Sequence, residues 1–220
     1  EDLTEAISLM HDCGHVAFSH SGERVLNEIF GRFRHNEYSA KLAQELNLTQ
    51  EVIDGVLHHS GTSGKTAYTL EGQIVRFADK IAYLNSDMDD GIRMGLIREE
   101  DVPPHIRQVL GLTAKERLRT LIRDLISHPP QEGRIFYSPQ VEEAFGALRS
   151  FMFQHLYKNP QVTQKDKVIR DILFAIYENE CKTGKTQEEI KEFIAGMSDT
   201  FALQYFLGIY HISPTNFNML

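Results

Sequence analysis

Five segments of this chain open on a helix-start signal and run on into apolar residues at helical spacing, while none alternates apolar and polar residues as a half-buried strand would. Ser21 precedes Val25, Leu26, Ile29 and Phe30, and Thr49 precedes the stretch from Glu51 to His58. Thr113 with Glu116 forms a capping-box pattern before Leu118, Leu121, Ile122 and Leu125, and Thr186 with Glu189 repeats it before Ile190, Phe193 and Ile194. Ser138-Pro139 offers a cap followed by proline at the first helical position, ahead of Val141, Phe145 and Leu148. The spacing therefore predicts an all-α fold. Breakers at 60–66, at Pro103-Pro104 and from Pro129 to Gly133 read as loops within it. A softer division is expected near 100–135. It separates a histidine-rich core, 1–135, from a C-terminal helical region, 136–220, packed on that core.

A chain of 220 residues can bury a sizeable core without disulfides. Its two cysteines, Cys13 and Cys181, give no disulfide framework, and the chain reads as cytoplasmic. No apolar run approaches the roughly 18–20 residues of a membrane span, so no membrane partner is expected. The net charge of −8 argues against a general nucleic-acid binder, which needs a basic footprint. Cys13 is expected to be a small buried filler. The apolar residues of the tail, from Phe145 to Leu207, are expected to be core.

Chemistry concentrates near the start of the chain. Six of the ten histidines lie in the first 59 residues: His11, His15, His20, His35, His58 and His59. The dense run is His11-Asp12-Cys13-Gly14-His15-Val16-Ala17-Phe18-Ser19-His20-Ser21-Gly22-Glu23. Imidazole and carboxylate suit first-row divalent metals. Gly14 suggests a turn or a close backbone approach at that point. A second cluster, Asp79, Tyr83 and Asp87, falls at i, i+4 and i+8, one stripe of a helix flanked by Ile74, Ala78, Ile81 and Ala82. Taken alone, that stripe reads as a solvated polar face.

The pair His11-Asp12 with the distant Asp79 resembles the HD-domain metal-dependent phosphohydrolases. The likeness is closer than that. The His-Asp-x-Gly-His-x-x-Phe-x-His-x-x-Glu core from His11 to Glu23 is similar to the deoxyguanosine triphosphate triphosphohydrolase-like branch. So are Phe33-Arg34-His35-Asn36-Glu37, Leu70 to Val75, the helix from Ala78 to Asp90, and Ile194-Ala195-Gly196-Met197-Ser198-Asp199. The resemblance implies an HD-domain helical bundle with additional C-terminal helices. It implies hydrolysis of a deoxynucleoside triphosphate to deoxynucleoside and tripolyphosphate. His11, Asp12 and Asp79 match the metal ligands, His20 the catalytic histidine and Glu23 its partner carboxylate. His15 and His35 match histidines near the α-phosphate. Tyr83 and Asp87 match residues that read the sugar. Lys80, next to the metal aspartate, is expected to contact phosphate, against the reading of an ordinary surface lysine.

The cofactor so implied is a divalent cation, Mn²⁺ or Mg²⁺ first, with Fe, Co, Ni and Zn open. A homo-oligomer is implied as well. Single-stranded DNA and nucleotide effectors occur with relatives, and no motif here decides them. The family's first metal histidine precedes the His-Asp pair, so the natural protein is expected to carry further residues before Glu1. His58 and His59 leave a two-metal arrangement open against a helix-end reading, with one metal favoured. Gly61 to Thr66 and Thr183 to Thr186 look like phosphate-loop endings, but His59 and Asn179 stand where that loop needs its first glycine. The alternatives are another HD nucleotide phosphohydrolase or phosphodiesterase, and a regulatory HD domain that binds nucleotide without turnover.

Overall fold

A computed structural model describes residues 1–61 and 64–211. All regular structure among them is helical: α1 (Asp2–Met10), α2 (Ser19–Phe30), α3 (His35–Glu45), α4 (Gln50–His58), α5 (Leu70–Arg93), α6 (Pro104–Leu110), α7 (Ala114–Ser127), α8 (Pro139–Met152), α9 (Pro160–Glu180), α10 (Gln187–Ala195) and α11 (Asp199–Ile209). The all-α expectation holds. No helix among the described residues is long and apolar enough to cross a membrane.

The helices form two compact units. One combines residues 1–8 with 50–163, the other residues 9–49 with those from 164 onward, so each draws on both sides of position 135.

In the first unit α5 is the central element. Thr69 caps it, its hydroxyl accepting the Gly72 N–H at 3.1 Å. Glycines bring α4 onto α5: a Cβ on Gly72 would stand 3.0 Å from the Gly55 Cα, and one on Gly55 would meet Ile7 at 2.6 Å. Leu84 and Met88 of α5 join Leu110, Leu121, Leu148 and Met152 in a dry core. Burying such side chains contributes roughly 1.5–3 kcal/mol each. Arg117 lies inside this unit, and its guanidinium is satisfied by Asn85 Oδ1 at 2.9 Å and by Glu99 at 3.3 Å. Gln73 uses its whole amide. It donates to the carbonyls of Ala67 and Gly133 and accepts from the Ile135 N–H, all at 2.9–3.0 Å, which pins the segment at 133–135 to α5.

In the second unit Leu26 of α2, Ile172, Leu173 and Ile176 of α9, Ile190 and Ile194 of α10 and Ala202 of α11 close the core. Asn27 clips the connection between α2 and α3. Its amide donates to the carbonyls of Glu23 and Phe33, at 2.9 and 2.7 Å, and accepts the Phe33 N–H at 2.8 Å. That clip fixes where α3 begins, and His35 is its first residue.

Several local expectations need correction. Ser21 does not cap α2, which starts at Ser19 with Phe18 as its uncapped boundary residue; the Ser21 hydroxyl donates to Asp166 at 2.6 Å instead. Ser138 precedes Pro139 as expected but caps nothing, because its N–H and hydroxyl both donate to Asp124, at 2.7 and 2.8 Å. At α7 only half of the capping box forms: Thr113 accepts from the Glu116 N–H, while the Glu116 carboxylate takes the Leu112 N–H. The box at Thr186 and Glu189 is complete. Pro104, read as part of a loop, is the first residue of α6. Cys13 is exposed, because the turn after α1 directs it outward with its thiol donating to the Leu9 carbonyl at 3.2 Å.

Candidate functional site

The chain leaves α1 through a turn at 11–14 and enters α2 at Ser19. This places the histidine-rich run on two short pieces that converge with the start of α3. A Cβ on Gly14 would stand 2.3 Å from the Ser39 N and 2.6 Å from the His35 carbonyl oxygen. The Gly14 N–H donates to the Ser39 hydroxyl at 2.8 Å. The close approach foreseen at Gly14 is thus the seam that brings His35 to the run.

Six expected site residues meet in this second unit: His11, Asp12, His15, His20, Glu23 and His35. Asp12 is the acidic hub of one part. His11 Nε2 lies 3.3 Å from one of its oxygens, while His15 Nε2 and His35 Nε2 lie 3.7 and 3.9 Å from the other. Glu23 is the hub of the other part. One of its oxygens lies 2.8 Å from His35 Nδ1 and 3.4 Å from His20 Nδ1. The rings of His15 and His35 stack, 4.0 Å apart and 8° from parallel, and His20 stands edge-on to both. His15, His20, Glu23 and His35 each bring one donor atom within 4.8 Å of the others.

The electrostatics sort these groups. Burial, with the neighbouring His35, lowers His15 to about 4, so it is neutral at pH 7. The hydrogen bond it donates to Glu23 raises His20 above the usual imidazole value against the opposing effect of burial. Burial alone would raise Glu23, but hydrogen bonds from His20 and His35 outweigh it and hold the carboxyl well below its ordinary range. Glu23 is therefore an anion that favours the protonated form of His20. His20 is also the open member, with its side chain 69 % exposed.

The His15 shift makes stability depend on pH. Its folded value is depressed, so below pH 6.5 the unfolded chain binds a proton that the folded chain refuses until about pH 4. Stability falls as pH falls through that window, by up to about 3 kcal/mol. Of the three shifted groups in this cluster, His15 alone contributes slope between 6.5 and 4.5. The raised His20 loses stability only above 6.5, and the depressed Glu23 loses it only below about 4.5. Urea unfolding in chelator across that window is expected to show the slope, and His15→Gln is expected to flatten it. A parent protein with no slope there would refute the assignment.

The remaining expected residues, Asp79, Lys80, Tyr83 and Asp87, lie on α5 in the first unit. The stripe is not merely solvated. Asp87 accepts the Tyr157 hydroxyl at 2.5 Å, which together with burial pushes that phenol up. A hollow of about 450 Å³ opens there, lined by Tyr83, Leu84, Arg149, Phe153 and Tyr157 among others. Lys80 is lowered to about 8, first by burial and then by the cationic neighbours Arg76 and Arg149. Tyr157 and Arg149 escaped the sequence reading. Tyr157 sits where α8 gives way to a π-helical turn, Phe153–Tyr157, whose extra residue shifts the helical register. Arg149, a lone cation in an apolar run, was the one available signal.

His58 and His59 sit at the end of α4. His58 Nδ1 is 3.0 Å from Asp54 Oδ1 and from the Asp54 carbonyl, and His59 Nδ1 is 2.7 Å from the Val56 carbonyl. These bonds fit the helix-end reading. At 183–186 Gly184 is left-handed and Lys185 pairs with the buried Glu180 at 2.5 Å, a helix connection with no phosphate loop. Of the other such stretch, Thr62 and Ser63 lie outside the described residues.

Comparison with known proteins agrees with the geometry. The HD domain family matches residues 1–84, and the phosphohydrolase-associated domain family matches residues 135–189. A deoxyguanosinetriphosphate triphosphohydrolase-like protein of Clostridium perfringens (strain SM101 / Type A) is 40 % identical over 239 residues, covering 96 % of this chain and 70 % of its own. Proteins of the same description from Clostridium tetani and Caldanaerobacter subterraneus are 39 % and 38 % identical, covering 96 % and 97 % of this chain and 69 % of their own.

Proposed function

Because the chain belongs to the HD-domain phosphohydrolases, among the deoxyguanosinetriphosphate triphosphohydrolase-like proteins, we propose that it hydrolyses deoxynucleoside triphosphates at the α-phosphate. Water adds to that phosphorus, the bond to the 5′ oxygen breaks, and deoxynucleoside and tripolyphosphate leave. The observation that carries this reading is the Glu23-centred pair of histidines, with the exposed His20 raised above the usual imidazole value by a half-buried carboxylate.

The first unit's own share of the reading is recognition. Asp87, already an acceptor for Tyr157, suits the 3′ hydroxyl, and the Tyr83 ring suits the sugar face. Lys80 and Arg149 supply positive charge for a polyphosphate. On the second unit His20 donates a proton to the departing 5′ oxygen. Glu23 orients it and holds its charge. Neutral His15 keeps a second cation out of the cluster.

The family implies a divalent cation, and the donor set fits one. Imidazole and carboxylate are suitable ligands, and 3.3 Å between His11 Nε2 and Asp12 Oδ2 suits two neighbouring ligands of one ion. His11, Asp12 and Asp79 would hold it. When bound, such an ion polarises a phosphoryl oxygen and acidifies bound water. Mn²⁺ or Mg²⁺ is the proposed metal.

The test is incubation of the purified full-length protein with Mn²⁺ and each of the four deoxynucleoside triphosphates, with products identified by mass spectrometry. Tripolyphosphate with free deoxynucleoside is the expected result. Orthophosphate or pyrophosphate would sink the reading in favour of another phosphohydrolase chemistry. Asp12→Ala and Asp79→Ala are each expected to lower bound Mn²⁺ at least tenfold in equilibrium dialysis; full retention by either would remove that residue from the ligand set.

A further inference from the structure

The backbone just before His20 is strained. Phe18 and Ser19 have φ of 66° and 50°, the left-handed region that residues other than glycine rarely adopt. Phe18 is also the boundary residue of α2, and no side chain of its own caps the helix. One local bond holds this turn, from the Ser19 N–H to the Val16 carbonyl at 3.1 Å, and a second comes from far along the chain. Asp199 Oδ1 accepts the Phe18 N–H at 2.8 Å. Asp199 is the first residue of α11, whose start is fixed by the Ser198 hydroxyl accepting the Phe201 N–H at 3.2 Å. Ala202, one turn on, is fully buried in the second unit's core.

From the held turn to His20 there is little slack. The Phe18 carbonyl accepts the N–H groups of Ser21 and Gly22 at 3.1 and 3.3 Å. Gly22 is pressed so closely on the preceding segment that a Cβ there would stand 1.9 Å from the Ala17 oxygen. His20 and Glu23 both leave the backbone within this first turn of α2. A shift at Phe18 is therefore passed to the His20 ring, which contacts Glu23 at 3.4 Å.

We propose that Asp199 is a positioning residue, which holds the left-handed Phe18–Ser19 turn and so sets the direction in which α2 presents His20. This gives a task to the segment at 194–199, which was conspicuous in the sequence without carrying any chemistry. The inference rests on the reading of His20 as the proton donor. The hydrogen bond itself can be tested without that reading.

Two measurements on the full-length protein decide it. Hydrogen exchange by mass spectrometry reads the hold on peptides spanning 16–22, and steady-state kinetics on the deoxynucleoside triphosphate reads its consequence. Asp199→Ala is expected to speed exchange in that segment. It is expected to lower kcat about 10–100-fold, the scale of a displacement near 1 Å, with KM within roughly twofold. Asp199→Asn keeps an acceptor oxygen and is expected to retain most of kcat. Ser19→Gly placed in the Asp199→Ala background is expected to restore part of it, because glycine adopts the left-handed turn unaided. In a His20→Ala background Asp199→Ala is expected to lower the residual rate no further.

Unchanged exchange at 16–22 overturns the proposal whatever kcat does. Faster exchange with unchanged kcat overturns it as well, and so does a loss of kcat that neither Asn nor Ser19→Gly relieves. Asp199→Glu, which keeps the charge but displaces the carboxylate, is read by the same criteria if the alanine variant does not fold. A His20→Ala protein with full activity would instead remove the reading of His20 and leave the exchange result standing.

Discussion

Replacing His20 by alanine is expected to cut kcat by about 10²–10⁴-fold while metal content and fold stay as they are. The expectation follows from how little His20 does structurally. Its side chain is 69 % exposed and its hydrogen-bond partner is Glu23, at 3.4 Å. Exposed substitutions away from special features usually stay within about 0.5 kcal/mol in stability. Its chemistry is another matter. Its hydrogen bond to Glu23 raises the imidazole above its usual value, which favours the protonated form needed as an acid at the departing oxygen. Methyl cannot carry that proton, and solvent would have to supply it. Metal content by plasma mass spectrometry, thermal unfolding and kcat together decide the point. A variant that stays folded and loses its metal would place His20 among the ligands and withdraw the acid role. Glu23→Gln is the partner experiment. It disturbs His35 as well as His20, so its loss of activity is expected to come with a loss of stability.

The helical class was legible because it is written locally. Thr186 and Glu189 cap α10 by a reciprocal pair of hydrogen bonds between near neighbours, and sequence spacing is all that such a pair needs. Ser21 and Ser138 were misread for the converse reason. Both have the chemistry of a cap, but Ser21 lies inside α2, and a carboxylate further along or back in the chain, Asp166 or Asp124, claims each hydroxyl. The same limit separates the two halves of the site residues. The run from His11 to Glu23 carries its meaning in thirteen consecutive positions. The stripe at Asp79, Tyr83 and Asp87 carries none until Tyr157 is set against Asp87, and Tyr157 closes a π-helical turn that no 3.6-residue periodicity forecasts. Asp199 is the extreme case, acting on a backbone amide 181 residues away.

Gly14→Ala is expected to be, with Gly22→Ala, among the most damaging single-methyl changes in the second unit. Gly14 is not there for backbone freedom, since it is absent from the positive-φ residues. It is there for space. The added Cβ would stand 2.3 Å from the Ser39 N, 2.6 Å from the His35 oxygen and 2.8 Å from the Ser39 hydroxyl. The first two are backbone atoms of α3, so relief cannot come from a side-chain rotation; α3 itself must retreat. Overpacking of this kind typically costs about 1–3 kcal/mol. The Gly14 N–H would also lose its 2.8 Å bond to the Ser39 hydroxyl. The functional loss should exceed the loss of stability. His35 is the first residue of α3, and its Nδ1 bond to Glu23 is one of two that hold the carboxylate that in turn holds His20. A displacement near 1 Å at such a point costs on the order of 10² in rate. Gly208→Ala is the matched control, on an open face of α11 with nothing within 4 Å of the new methyl. There the better helix propensity of alanine is expected to add up to about 1 kcal/mol, with kcat unchanged. Urea unfolding and kcat for the two variants separate the cases. A Gly14→Ala protein as stable and as active as its parent would mean that the seam between the histidine run and α3 is not the tight contact on which the geometry of Glu23 and its two histidines depends.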